Sequence, residues 1–258
     1  MNVALLALCV AVLLWWLRGD AAEYVAFKQL TDTRDRQRFY RRWLGKSFLC
    51  FFGVTVLALA LLHRLSALKT MPPEFLPLAL RLRALVPADQ IPDRSFIFGV
   101  ISAGLFGGVL GGLLITVRLQ KKGPKAMLGD VEAILPRNTP ETAWAALLAL
   151  NAGLSEESFF RLLLPLLLVL LLHNALLAFA LAVLIFGLAH RYQGVVGVIA
   201  TTVLALVLTV IYLATESLWL AVAVHAGIDL LNLVVRPSVA RLFSSRVRVM
   251  PQANSPLG

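Results

Sequence analysis

The sequence predicts an all-α fold, a polytopic bundle of about seven transmembrane helices, on three observations. Of its 258 residues 59% are hydrophobic and the mean hydropathy is +0.83, whereas a soluble domain rarely exceeds half apolar content. The apolar residues gather in several runs of about 18 residues or more, the length that crosses a bilayer as a helix. These runs do not alternate apolar and polar residues at every second position, which excludes an outer-membrane barrel. The third observation is where the charge lies. The net charge is +10, yet the basic residues sit in particular loops, as the positive-inside rule requires. They do not form the basic stripe on a soluble fold that nucleic acid would need. The lipid bilayer is therefore the expected surrounding, and nucleic acid is not an expected partner. Cys9 and Cys50 are the only cysteines. Without CxxC spacing they read as small buried apolar residues rather than as a disulfide or thiolate site.

The elements follow in order. Val3 to Leu17 is a first apolar helix ending at Trp15 and Trp16, which suit an interfacial belt. It lacks a charged n-region and reads as an uncleaved anchor. Arg18 to Lys46 is densely basic and belongs on the cytoplasmic side, with Tyr24 to Trp43 forming an amphipathic helix on anionic headgroups. Ser47 to Leu62 is the second span, and the proline-rich connection His63 to Arg94 breaks any continuing helix. Ser95 to Val117 is the third, with Gly104, Gly107, Gly108, Gly111 and Gly112 in GxxxG registers for close packing within the bundle. Arg118, Lys121, Lys122 and Lys125 mark a second cytoplasmic loop. Thr139 reads as an N-cap with Pro140 at the first helical position. A helix running from there to Leu172, at about 1.5 Å per residue, exceeds a bilayer of about 30 Å. Tilt, or a kink near Gly153 or Pro165, absorbs the excess. Ala175 to His190, Gly194 to Leu213 and Ser217 to Val235 complete the bundle. With the loop after the first span inside, the N-terminus lies outside and Arg191, Arg236, Arg241 and Arg246 return inside. The chain divides into N-terminal membrane helices (1–140), a core (141–236) and a basic tail (237–258).

Some polar residues within the apolar runs are expensive to place in hydrocarbon, so they mark a functional site. Glu157 and Arg161 stand at i and i+4 with the acid first, the favourable order for an ion pair on one face. Glu156 is rotated about 100° away and has no partner on its own helix, which leaves it available for acid–base work. His190 follows Phe186 by one turn. His225, Asp229 and Asn232 share a face at i, i+4 and i+7, where Asp229 can orient the His225 imidazole. His63 and His173 sit at span ends and are assigned no role. One free Glu, two His and one Asp on three apolar helices must converge, because none can face lipid cheaply. Two chemistries fit. Glu156, His190 and His225 can ligate Zn²⁺ or another divalent metal with a fourth position for water. Alternatively, without metal, Glu156 polarises water directly while the histidines and Asp229 or Asn232 stabilise the oxyanion. Ser155 and Ser158 lack a base on their own helix, and the HExxH signature is absent.

Glu156-Glu157-x-x-x-Arg161, Phe186-x-x-x-His190 and His225-x-x-x-Asp229 resemble the three motifs of the CPBP family of intramembrane proteases. This family takes in CAAX-processing (type II CAAX endopeptidase), lysostaphin-resistance and bacteriocin-immunity (Abi) proteins. Ser217-Leu218-Trp219 is similar to the family's approach to its last motif, and the resemblance covers about Ala143 to Val235. It implies a cavity open toward the cytosol, with Glu156 activating water, Glu157 and Arg161 holding the helix, and His190, His225 and Asp229 at the catalytic centre. It leaves metalloprotease and glutamate-protease descriptions both open. The chain departs from the family at Leu162, where Gly often follows the Arg, and carries Asp rather than Asn at 229.

The expected function is intramembrane hydrolysis of a peptide bond near the cytosolic membrane face. The expected substrate is a membrane-associated or lipidated protein or peptide, and the expected location is a bacterial cytoplasmic (inner) membrane. A non-catalytic immunity or scaffold protein, whose polar cluster only fixes the bundle, is the first alternative. An ion-coupled transporter using the same Glu and His is the second, set back by the lack of an internal repeat.

Overall fold

The computed structural model describes residues 1–85, 132–239 and Arg241. Among the described residues the chain is helical throughout. The helices are α1 (Asn2–Lys28), α2 (Thr33–Leu61), α3 (Leu76–Arg83), α4 (139–172), α5 (Ala175–Ala189), α6 (Gly194–Thr215) and α7 (Leu218–Val239). By length and composition α1, α2, the 191–215 stretch and α7 can each cross a membrane, and α5 is a shorter apolar helix. The molecule is an integral membrane protein. The expected third span, its glycines, the basic loop after it and the tail beyond Arg241 lie outside the described residues.

The helix starts follow local chemistry. Asp32 is extended, and its carboxylate accepts from the amides of Arg34 and Asp35 to open α2. Asn174 and Ser217 cap α5 and α7 in the same way, accepting from Leu177 and Leu220. The N-cap of α4 is Asn138 rather than Thr139. Its side-chain oxygen accepts from the Glu141 amide, and Pro140 falls in the first turn, where its missing N–H costs nothing. His173 takes the left-handed conformation (φ 52°) that ends α4 and turns the chain into α5.

The expected headgroup helix from Tyr24 to Trp43 does not form as one element. The chain breaks at Gln29–Asp32, leaving Tyr24 in α1 and Trp43 in α2. Its apolar face is real but turns inward. Phe27, Phe39, Tyr40 and Trp43 are buried, Phe27 stacks on Phe39 at 4.5 Å, and Arg36 lies 4.4 Å over the Phe27 ring. The first helix likewise runs past Leu17 to Lys28, because the basic stretch offers nothing to stop it.

α4 is the axis. It is α-helical to Glu157, opens into a π-helical turn at Ser158–Leu163 and resumes as Leu164–Leu172. Pro165 has no N–H to offer the Arg161 carbonyl and its ring crowds that carbonyl, so the preceding turn widens there. The kink expected near Pro165 therefore takes the form of a π turn carrying Arg161. α4 packs on α1, α2 and α7, and most extensively on α7. At the α4–α7 crossing a side-chain carbon on Gly153 would stand 2.8 Å from the Ala226 Cβ and 2.8 Å from the Val222 carbonyl. This small-residue contact sets the helix spacing, since association in lipid rests on close packing rather than on expulsion of water. Two buried layers flank α4. One is aromatic and joins Trp16, Phe51, Phe159, Phe160 and Phe186; the other holds Phe75, Phe179 and Tyr212. Cys9 is fully buried and neither cysteine is paired.

Candidate active site

The residues singled out in the sequence come from α4 (Glu156, Glu157, Arg161), the α5 terminus (Phe186, His190) and α7 (His225, Asp229, Asn232). Glu156, Phe186, His190, His225, Asp229 and Asn232 all line one cavity of about 480 Å³.

Helix rotation sends the two adjacent acids to opposite sides of this wall. The Glu157 side chain is fully buried, whereas Glu156 is 17% and Asp229 28% exposed. Glu157 Oε1 lies 2.9 Å from Arg161 Nη1 and accepts a 2.6 Å hydrogen bond from His225 Nδ1. The partner that orients His225 is therefore Glu157 and not Asp229. The expectation for Asp229 failed because Glu157 reaches across the tight α4–α7 contact, and that contact does not appear in the spacing along α7. Asp229 Oδ2 stands 3.8 Å from Nε2, the other ring nitrogen of His225.

His190 is the C-cap residue of α5, and its Nδ1–H donates to the Phe186 carbonyl at 2.9 Å. Both histidines thus spend Nδ1–H on a protein oxygen, which turns Nε2 toward the cavity. His190 Nε2 is 3.9 Å and His225 Nε2 is 4.0 Å from Glu156 Oε2, and that oxygen has no hydrogen-bond partner among the described residues. These gaps are too wide for direct hydrogen bonds and suit a bridging water. Phe186 is the buried floor: Arg161 lies 4.4 Å over its ring, and the His190 and His225 rings lie at 4.7 and 6.1 Å. Asn232 accepts on Oδ1 from Arg236 Nη1 at 3.2 Å, which leaves its amide NH₂ free to donate.

The donor types of Glu156, His190 and His225, each histidine backed through its far nitrogen, match a divalent-metal site. Their spread does not: among the described residues no three His, Cys, Asp or Glu side chains are gathered closely enough to hold an ion.

The cavity has a second wall that the sequence did not announce. Trp16 and Asp20 of α1, with Trp43, Ser47 and Phe51 of α2, face the same space. Ser47 accepts from Asn151 Nδ2 at 2.7 Å, tying α2 to α4 below the site. The one signal for this wall was Asp20, an acid three residues past the apolar run of α1.

No curated protein and no solved structure matches the chain. A family model does, over residues 138–231, from the cap of α4 to two residues past Asp229, so all three motifs fall within the match. Across that segment the chain is similar to the Rce1-like family, described as type II CAAX prenyl endopeptidase Rce1-like.

Proposed function

We propose that this protein is an intramembrane endopeptidase that hydrolyses a peptide bond of a membrane-associated or lipidated protein near the cytosolic membrane face. The observation that carries the reading is the convergence of Glu156 Oε2 with His190 Nε2 and His225 Nε2, at 3.9 and 4.0 Å, on one cavity among apolar helices. A register-fixing ion pair would need neither a Glu156 Oε2 left without a hydrogen-bond partner nor two imidazole Nε2 atoms turned toward it.

In this reading Glu156 and His190 Nε2 accept the two hydrogens of a water, which attacks the scissile carbonyl carbon. Glu156 takes the proton. The Asn232 amide, and a proton on His225 Nε2 lying between the Glu156 and Asp229 carboxylates, stabilise the oxyanion. Glu156 then delivers its proton to the leaving nitrogen as the C–N bond breaks, giving an amine and a carboxylic acid, whose remaining proton passes to the amine to leave a carboxylate and an ammonium group. Glu157 and Arg161 keep the His225 ring turned for this step. Glu156, His190 and His225 have the donor types for zinc or another divalent metal, which would supply Lewis acidity to the water, but they would have to draw closer together to hold it.

The test is reconstitution in liposomes with a lipid-anchored peptide set and mass analysis of the products. A single internal cut near the anchor is expected. Intact peptides with a folded protein would favour the scaffold alternative. Metal analysis of wild type beside His190→Ala and His225→Ala assigns the mode: stoichiometric metal lost in both variants means a metal-bound water, and metal-free active protein means direct general-base catalysis.

A further inference from the structure

Asp20 is 1% exposed, and neither of its carboxylate oxygens has a hydrogen-bond partner among the described residues. It sits in the C-terminal, charged part of α1, just past the apolar run that ends at Leu17, and a carboxylate buried there without a hydrogen-bond partner is costly. It lines the same cavity as Glu156, His190 and His225. The nearby cations are otherwise engaged. Lys46 Nζ bonds Glu23 Oε1 at 2.9 Å and lies 4.6 and 4.9 Å over the Trp15 and Trp16 rings, while Arg191 donates to the Leu17 carbonyl. Around Asp20 the wall is aromatic: Trp16, Trp43 and Tyr192 face the cavity, and the Tyr192 ring stands 6.0 Å from that of His190. An unpaired carboxylate among aromatic faces is the environment that receives an ammonium or guanidinium group, by charge and by cation–π attraction.

We infer that Asp20 is the anchor for a lysine or arginine side chain of the peptide substrate, held in the aromatic end of the cavity while the scissile bond lies at Glu156. The inference rests on the peptidase reading, since it takes the occupant of the shared cavity to be a peptide. Asp20 lies outside the matched segment 138–231, so α1 would supply the selectivity and α4, α5 and α7 the chemistry. Asp20 makes no contact with the reacting atoms and acts on substrate choice alone.

The test uses full-length Glu156→Gln protein in phosphatidylcholine nanodiscs, so that binding is read without cleavage. The probes are palmitoylated fluorescent peptides identical save for one lysine or norleucine, with that position moved along the chain. At one position the lysine form is expected to bind about tenfold tighter or more, as a charge-assisted contact gives. Adding Asp20→Asn brings the pair to within about twofold, and Asp20→Glu restores the contrast. Thermal unfolding of Asp20→Asn is expected at no lower temperature, because no native partner is lost. Equal discrimination in Asp20→Asn, or none at any position with Asp20 present, overturns the inference, and the second outcome does so even if Asp20→Asn does not fold. Binding that follows added phosphatidylethanolamine rather than the peptide's lysine would give Asp20 to a lipid amine and also overturn it. Lysine selectivity through Asp20 in a wild-type protein that cleaves no peptide would sink the peptidase reading and spare this one. Equal cleavage of lysine and norleucine peptides would do the reverse.

Discussion

Glu156 and Glu157 are neighbours in the chain and meet different surroundings, because a helix turns about 100° per residue. That rotation was legible, as were Arg161 one turn on and the His225–Asp229 spacing. What the sequence could not give is that Glu157 crosses to His225 Nδ1 at 2.6 Å, because spacing reports neighbours on one helix only. Glu157→Ala is expected to leave the buried Arg161 guanidinium unpaired and to lower stability by about 3–5 kcal/mol, read by thermal unfolding in detergent. Pairing it with Arg161→Leu should recover part of that loss, since the uncompensated charge is gone. Activity should stay low in the double variant, because the His225 ring has lost its guide; full activity would show that the guide is dispensable.

At the scale of the helices, two features of α4 set the site. The π turn at Ser158–Leu163 is favoured by Pro165, which cannot bond the Arg161 carbonyl, and it sets Arg161 over the Phe186 ring. Pro165→Ala lets that turn tighten to an α-helix and shifts the register of everything beyond it. Cleavage should fall while the unfolding temperature holds or rises; unchanged cleavage would mean that the turn does not position the site. Gly153 lets α4 approach α7 until a side-chain carbon would meet the Val222 carbonyl at 2.8 Å and the Ala226 amide nitrogen at 2.9 Å. Two of those obstacles are backbone and cannot rotate away. Gly153→Ala is therefore expected to cost about 1–3 kcal/mol and to move His225 off Glu157, so that unfolding temperature and cleavage fall together. Gly153 was noticed in the sequence as a place to bend; its use as a contact depends on which helix lies opposite. The misread stretch Tyr24 to Trp43 makes the same point. Its amphipathic pattern was legible, but a pattern cannot say whether the apolar face meets lipid headgroups or, as here, the protein core with Ile134 and Tyr192.

Across the whole molecule, the membrane class and the convergence of polar residues from α4, α5 and α7 could be read ahead of the structure, whereas the contribution of the first half could not. That half is tied to the matched segment by a buried pair. Arg36 Nε bonds Glu141 Oε2 at 3.0 Å with both side chains fully buried, and Arg36 Nη2 donates to the Ala133 and Leu135 carbonyls at 2.9 and 3.1 Å. No local pattern predicts an ion pair across more than a hundred residues. Arg36→Leu strands the Glu141 carboxylate and should destabilise the protein by about 3–5 kcal/mol, opening the cavity wall built by Trp16, Asp20 and Trp43. Earlier protease clipping in α2 than in α4 would report that detachment; wild-type resistance throughout would contradict it.

The claim on which the rest depends is that Glu156 handles the proton of the attacking water. The direct measurement is single-turnover cleavage of a lipid-anchored peptide in proteoliposomes by wild type and Glu156→Gln of equal unfolding temperature. A loss of about a thousandfold is expected, the size of a missing general base in a cavity otherwise intact. Cleavage by Glu156→Gln at the wild-type rate would contradict the assignment and move the chemistry, if any, to another residue.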